Sequence, residues 1–219
     1  MNRTSIVTKT FIAAALAVFA AGSASALTME QQQVTANLEA PWGMNLTFNK
    51  FDPSLGTLTG VQIDFTGFGS GSAQVTHGTG AGSISMDQLG STTQITAPGL
   101  IALTDNDYTG IQVFLWPAGS SSPTNFDTAI FSTNTLNVIG SGFWGDYTGP
   151  GTFNIEVDVK ELITWDPQNA TGDFNSATFT TYGGANVTLI YTYVPEPGSL
   201  ALLALGGGVL AFTRRRRQA

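Results

Sequence analysis

Side chains that could perform chemistry are few in this chain of 219 residues. His77 is its single histidine and cysteine is absent, which excludes thiol catalysis and the usual cysteine or histidine zinc sites. Glu156, Asp158 and Glu161 form a cluster of carboxylates of the kind that glycoside hydrolases use. Because Glu156 and Asp158 alternate with apolar residues, however, both are expected on the solvent face of a strand, beside Lys160. We therefore expect no enzyme activity, with a secreted hydrolase as the weaker alternative.

Asp105 and Asp107, on either side of Asn106, are the best candidates for binding a metal. Clustered oxygen ligands on a loop suit calcium, but the later glycine and bidentate glutamate of an EF-hand loop are missing. Asx residues that precede a Tyr-Thr-Gly sequence also make a good turn. We expect a turn at this place, with calcium as the alternative, and we expect no metal or other cofactor in the protein.

Aromatic side chains offer the remaining candidate site. Segment 143–147 is bracketed by glycines, so Trp144 and Tyr147 could lie on a loop and contact a glycan. This pattern keeps open a carbohydrate-binding module as an alternative function. Packing in the core or at its rim is the commoner fate of a tryptophan in a β-sandwich. The four tryptophans are Trp42, Trp116, Trp144 and Trp165.

The C-terminal segment consists of three parts in order. Val194-Pro195-Glu196-Pro197 is followed by the apolar run 200–212 and then by four consecutive arginines. A helix over the run would span about 20 Å, short of the hydrocarbon thickness of about 30 Å, and three glycines weaken it. The arginines resist translocation, so the chain before the helix is expected outside the inner membrane. The prolines make Pro-Glu-Pro a stiff, accessible spacer between domain and membrane.

This order of parts resembles the PEP-CTERM sorting signal, which exosortase, an integral-membrane transpeptidase-like enzyme of Gram-negative bacteria, recognises. The resemblance assigns the recognition tripeptide to Pro195, Glu196 and Pro197. It implies an inner-membrane intermediate, processing near the tripeptide, and a final place at the cell surface or in the extracellular matrix. A structural or adhesive role in an exopolysaccharide-rich biofilm is implied likewise, and an ordinary single-pass anchor is the alternative. The stop-transfer residues are Arg214, Arg215, Arg216 and Arg217.

The N-terminal segment indicates export. Residues 1–10 carry two basic side chains and no acid, and 11–21 are apolar. Ala24 and Ala26 supply the small side chains that signal peptidase reads, so cleavage is expected after Ala26. The predicted organisation is a signal peptide over 1–26, a surface domain over 27–193 and the sorting signal over 194–219.

The charge of the mature domain excludes one class of partner. Six of the eight basic residues and one of the fifteen acidic residues lie in the terminal segments. Two basic and fourteen acidic residues remain, so 27–195 carries a net charge of −12. A surface this acidic repels phosphate backbones, so no nucleic-acid binding is expected. Neutral, hydroxyl-rich partners such as an exopolysaccharide are compatible with it.

The pattern of the domain is that of an all-β protein. Short strands rich in Thr, Val, Ile, Phe and Tyr are separated by Gly, Ser, Asn, Asp and Pro, which predicts a single jelly-roll-like β-sandwich. Segment 29–38 could form a short helix, and the glycine-rich segment 67–82 is expected to be a flexible loop. The predicted strands are 44–49, 61–66, 83–86, 93–96, 111–116, 137–139, 153–160, 177–182 and 187–193.

Segment 51–58, Phe-Asp-Pro-Ser-Leu-Gly-Thr-Leu, is the most distinctive string of the domain. Pro53 presets φ and Gly56 can adopt a conformation with positive φ, so the string predicts a turn that leads into a strand from Thr57 onward. It also resembles the signature of the choice-of-anchor E domain, a bacterial surface module that occurs with several C-terminal anchors. That resemblance implies an early strand pair and assigns no catalytic role to the string.

Overall fold

The computed structural model describes residues 8–10, 25–100, 102–128 and 131–196. These residues form an all-β structure, as predicted, with one four-residue α-helix, α1 (Trp144–Tyr147), and three short 3₁₀ helices. The 3₁₀ helices are Pro53–Leu55, Ser141–Phe143 and Pro167–Asn169. The strands are β1 (Thr8–Thr10), β2 (Leu27–Val34), β3 (Leu38–Glu39), β4 (Trp42–Asn49), β5 (Thr57–Thr96), β6 (Leu103–Thr109), β7 (Gln112–Trp116), β8 (Thr124–Asp127), β9 (Phe131–Val138), β10 (Thr152–Trp165) and β11 (Thr171–Val194).

Strand β5 organises the sheet. It runs for 40 residues, and every strand except β1 to β4 pairs with it in antiparallel register. Strand β11 lies along the N-terminal part of β5 and β10 along the C-terminal part. Strands β6, β7, β8 and β9 follow one another along the chain and pair with β5 in reverse order, as segments of one interrupted strand. Strands β2 and β4 extend the two ends, beyond β11 and β10.

The sheet bends so that its two halves face each other. A Cβ atom at Gly183 in β11 would lie 2.5 Å from Ser91 Oγ and 2.6 Å from Val159 Cγ1, which belong to the other half. A Cβ atom at Gly69 would likewise lie 2.4 Å from Ser91 Oγ. Because backbone and side chains of opposite halves touch, the single sheet forms a sandwich, which gives the alternating apolar faces a common interior.

Two apolar clusters fill the interior. The larger one lies between β4, β10, β11 and the first part of β5, and the smaller one lies around Trp116. A layer of buried polar side chains is also enclosed: Ser91, Thr93, Asp105, Asp107, Thr109 and Thr181. Gly67 and Gly69 face this layer, and a Cβ atom at Gly67 would lie 2.5 Å from Asp107 Oδ2. The glycines therefore let the backbone of β5 approach polar side chains of the opposite half.

Side chains close the open sides of the sandwich. Gln31 Nε2 donates to Asn49 O at 2.9 Å, and Asn49 N donates to Gln31 Oε1 at 2.9 Å. Gln33 Nε2 donates to Thr47 O, so the two buried glutamines of β2 bond to the backbone edge of β4. On the opposite side, the rings of Phe114 and Phe126 stack at a centroid distance of 4.9 Å. The glutamine hydrogen bonds satisfy backbone groups that the edge of β4 would otherwise leave unpaired.

Two local predictions are wrong. Segment 29–38 is no helix, since 27–34 form β2 and alternate between buried and exposed side chains. The glycine-rich segment 67–82 is no loop, because it lies within β5 and pairs with β11 over 67–77 and again at Gly82. The inward-facing glycines of this stretch make room for side chains across the sandwich.

The chain termini lie largely outside the described residues. Of the predicted signal peptide, 8–10 form β1, which pairs with β2 in antiparallel register. Ala26, the predicted cleavage residue, is exposed and directly precedes β2, whereas Ala24 lies outside the described residues. The predicted helix over 200–212 lies outside them too. Within the described residues, no helix is long and apolar enough to cross a membrane.

Candidate functional site

The sorting tripeptide begins directly where the sheet ends. Val194 is the last residue of β11 and pairs with Thr57, the first residue of β5. Pro195 follows without a linker and is buried, whereas Glu196 is exposed. Pro197 and the arginines at 214–217 lie outside the described residues. The prediction that the whole tripeptide forms an accessible spacer is therefore wrong for its first proline.

The Asp-Pro-Ser-Leu-Gly string forms the predicted turn, and β5 begins at Thr57 as expected. Ser54 N donates to Asp52 Oδ1 at 2.9 Å, so the carboxylate caps the 3₁₀ helix. This hydrogen bond from the Ser54 backbone holds the pKa of Asp52 below its ordinary value. Gly56 closes the turn with φ of 148°, a conformation that favours glycine.

Gly56 also touches the base of the tail. A Cβ atom at this position would lie 2.3 Å from Val194 O and 2.7 Å from Pro195 Cα. Both are backbone atoms, which a side-chain rotation cannot move away. The turn and the start of the tripeptide are thus in direct backbone contact, although they are far apart in the sequence. We call the turn 52–56 the seat of Pro195.

Aromatic side chains support the seat from inside. The ring of Phe51 packs against Tyr191 and Tyr193 of β11, at centroid distances of 5.7 and 5.2 Å. Phe51 N donates to Tyr147 O at 2.8 Å, and Gly149 N donates to Phe51 O at 3.0 Å. These bonds bring the loop that contains α1 to the same end of the sandwich as the tail.

Trp144 and Tyr147, the candidates for a glycan contact, both lie against the apolar interior. Tyr147 is fully buried, and its hydroxyl donates to Pro98 O at 2.6 Å. Trp144 is partly buried against the larger apolar cluster, and its Nε1 donates to Ile139 O at 3.0 Å. Their rings pack in the core or at its rim, the alternative that the sequence left open. In this segment the exposed ring is that of Phe143, which is 49% exposed.

The two buried tyrosines predict a loss of stability at alkaline pH. Burial, with the nearby Asp146, raises the pKa of Tyr147 above the ordinary 10.0, and burial raises that of Tyr191 likewise. Both phenols stay neutral in the fold at a pH where they ionise in the unfolded chain. The unfolded state then binds fewer protons, so stability falls as the pH rises above about 10.

We expect the free energy of unfolding of the domain to fall by roughly 1–2 kcal/mol between about pH 9 and about pH 11. Urea denaturation at the two pH values measures this change. The Tyr147→Phe variant should be less stable at pH 9, because Pro98 O loses its donor, and should show a smaller decrease towards pH 11. A variant with an unchanged pH dependence would contradict the assignment to Tyr147.

Asp105 and Asp107 do not lie on a turn. They belong to β6, point into the sandwich and are 5% and 1% exposed. Asp105 Oδ2 accepts a hydrogen bond from Gly67 N at 3.2 Å. Among the residues with described positions, no three His, Cys, Asp or Glu side chains are placed to hold a metal ion. The carboxylates therefore belong to the buried polar layer and do not form an exposed loop site.

His77 lies in β5, where it is buried. Its Nδ1 is 2.7 Å from Gly78 O, and its Nε2 is 2.8 Å from Thr124 Oγ1. Its ring stacks on Trp116 at a centroid distance of 5.1 Å. The single histidine is therefore a core residue with both ring nitrogens satisfied.

The carboxylate cluster of β10 has the predicted strand arrangement. Glu156 and Glu161 are exposed, Asp158 is half-buried on the same outer face as Glu156, and Lys160 extends from that face too. Glu156 pairs with Asn45 and Thr96, and Asp158 pairs with Gly43 and Gln94. Apart from Gly43, these neighbours carry amide or hydroxyl side chains, so the carboxylates lie on a surface of hydrogen-bonding groups.

Uncharged polar side chains bond to one another across both outer faces. On one face Gln74 Nε2 donates to Asn125 Oδ1 at 3.1 Å. On the other, Thr92 Oγ1 donates to Asn106 Oδ1 at 3.0 Å, and Gln94 Nε2 donates to Thr104 Oγ1 at 3.1 Å. Cross-strand pairs of this kind stabilise a sheet and leave part of their hydrogen-bonding capacity facing the solvent.

One exposed apolar feature was missed by the sequence reasoning. Ile111, Val113 and Leu115 point outward from β7 and its preceding residue and are 72%, 56% and 68% exposed. Phe114 and Trp116 point inward from the same strand. Because the segment is apolar on both faces, its sequence predicted a strand without indicating which face is buried.

Comparisons with known proteins identify the tail. Residues 194–217 match the family model of the PEP-CTERM protein-sorting motif. No curated protein matches the chain. A chain in a structure of infectious bursal disease virus strain Gx is 13% identical, with a TM-score of 0.16, over 89% of this chain and 49% of that chain. For strain Gt the values are 12%, 0.14, 77% and 41%. This chain thus spans less than half of either viral chain, and such low TM-scores carry no argument.

Proposed function

We propose that the chain is a non-enzymatic structural or adhesive protein of the cell envelope or extracellular matrix, sorted and processed by exosortase. The motif at 194–217 carries this proposal, because it implies an exported protein that exosortase recognises at the membrane. The motif begins at Val194, the last residue of the final strand of the folded domain. Cleavage near the tripeptide would therefore separate an intact domain from its membrane segment.

An exopolysaccharide is the proposed matrix partner. The outer faces carry amide and hydroxyl side chains such as Gln74, Asn125 and Thr178, which are exposed. These groups donate and accept hydrogen bonds as sugar hydroxyls do. The acidic domain repels phosphate-rich partners and leaves neutral glycans unaffected. The proposal therefore rests on these polar side chains and not on Trp144 and Tyr147, whose rings pack inward.

The experiment follows the full chain in an exosortase-containing Gram-negative host and in the same host with the exosortase gene deleted. We expect intact-mass spectrometry to show loss of 214–217 in the first host and their retention in the second. We also expect the processed domain to accumulate with the polysaccharide matrix, measured by fractionation and immunoblotting.

Two outcomes separate the parts of the proposal. A product that retains the arginines in the exosortase-containing host would overturn processing and leave an ordinary membrane anchor. Processing followed by complete release into the medium, with no matrix-bound fraction, would overturn the adhesive role alone.

A further inference from the structure

The tripeptide is divided between the folded domain and the solvent. Pro195 is buried and Glu196 is exposed, although they are adjacent in the chain. The buried residue contacts the seat, where the Cα of Gly56 leaves no room for a Cβ beside Val194 O. The first residue of the tripeptide is thus packed as part of the domain.

We propose that the seat controls access to the sorting motif: the 52–56 turn holds Pro195 on the domain, and exosortase must lift it to bind all three residues. This inference rests on the proposed processing by exosortase. Gly56 is then a positioning residue, because it acts through the backbone of Val194 and Pro195.

The length of the connecting chain supports this control. Five residues, 195–199, separate β11 from the apolar run, and five residues span at most about 18 Å when fully extended. The domain therefore stays close to the membrane while the tail is intact. Binding domains that read short peptides often take them in an extended conformation, added to a sheet edge or docked in a groove, which requires the peptide to be free of its own domain. A seated Pro195 has one side covered by the turn.

Gly56 is the position at which the contact can be tested with least disturbance. In Gly56→Ala the new Cβ would overlap Val194 O, a contact of 2.3 Å, so the start of the tail must move away. Gly119→Ala is the matched control, since Gly119 also has a positive φ, of 76°, but no atom within 4 Å of an added Cβ. Both variants strain a turn, and only the first displaces Pro195.

Hydrogen exchange on the full-length precursor, purified from the exosortase-deleted host, tests the seat by itself. We expect Gly56→Ala to speed exchange in the peptides that contain Thr57 and Val194, while exchange elsewhere matches the wild type. Gly119→Ala should leave both peptides unchanged. Equal exchange in Gly56→Ala and the wild type at these peptides would show that the turn does not hold Pro195 on the domain.

Pulse-chase measurement of tail loss in the exosortase-containing host tests the control of access. We expect Gly56→Ala to be processed faster by about tenfold, the factor that burial of roughly two methylene groups would impose. Pro195 is part of the motif, so its own substitution is unsuitable here. Faster exchange with an unchanged processing rate would contradict the proposal that the seat controls access to the motif. Slower processing would contradict it too, and would show that the seat presents the motif to the enzyme. Failure of every variant, including the wild type, to lose its tail would refute exosortase processing, while the exchange result on the seat would stand.

Discussion

Replacement of Glu196 by alanine is expected to leave the arginine tail on the protein without changing the stability of the domain. Glu196 is exposed and lies two residues beyond Val194, the last paired residue of β11, so its side chain adds nothing to the packed interior. It is also the one charged residue of the tripeptide and the part of it that the seat leaves free. Loss of a charged recognition contact costs about 2–5 kcal/mol, which corresponds to a rate lower by roughly thirtyfold to several thousandfold.

The measurement combines pulse-chase analysis of tail loss with thermal unfolding. Glu161→Ala is the matched control, because it removes another exposed glutamate, from β10, far from the motif in sequence. We expect the control to be processed at the wild-type rate and both variants to melt with the wild type. Normal processing of Glu196→Ala would show that the enzyme does not read this carboxylate. A lower melting temperature for that variant would show a structural role instead.

Strands in which apolar and polar residues alternate strictly could be predicted, because the period of two by itself indicates a strand with one buried face. Segment 153–160 is the clearest case, and its apolar residues face the interior between polar neighbours that face out. The prediction of a helix over 29–38 was wrong because Gln31 and Gln33 are polar and still point inward. Their hydrogen bonds to β4 are visible only in the fold. The prediction of a loop over 67–82 was wrong because glycine also occurs within strands, where the backbone closely approaches a side chain across the sandwich.

The seat could be predicted only in part. The turn at 52–56 follows from local chemistry, since Pro53 and Gly56 fix its shape whatever surrounds it. Its contact with Val194 depends on the register of β5 and β11, which pair Thr57 with Val194. No local pattern connects positions so distant in the chain. The burial of Pro195 follows from that register. Because the register cannot be read from the local sequence, the sequence predicted an accessible proline.

Replacement of Trp116 by alanine is expected to cause the largest loss of stability that one side chain of β7 can produce. Its indole is 1% exposed, stacks on His77 and lies over Gly82, where a Cβ would come within 2.3 Å of the ring. Truncation would leave a cavity between the two halves of the sandwich. Removal of a buried tryptophan costs about 3–5 kcal/mol, which in a domain of this size lowers the melting temperature by roughly 6–20 °C.

Leu115→Ala is the control from the adjacent position. Leu115 is 68% exposed on the outer face, so its truncation removes little buried surface and should shift the melting temperature by less than about 2 °C. The pair tests the face assignment of a strand that is apolar on both sides. Equal shifts for the two variants would mean that the outward stripe of Ile111, Val113 and Leu115 is covered in the folded protein. A large shift for Trp116→Ala alone would establish that β7 is packed through one face, with the stripe free in solution.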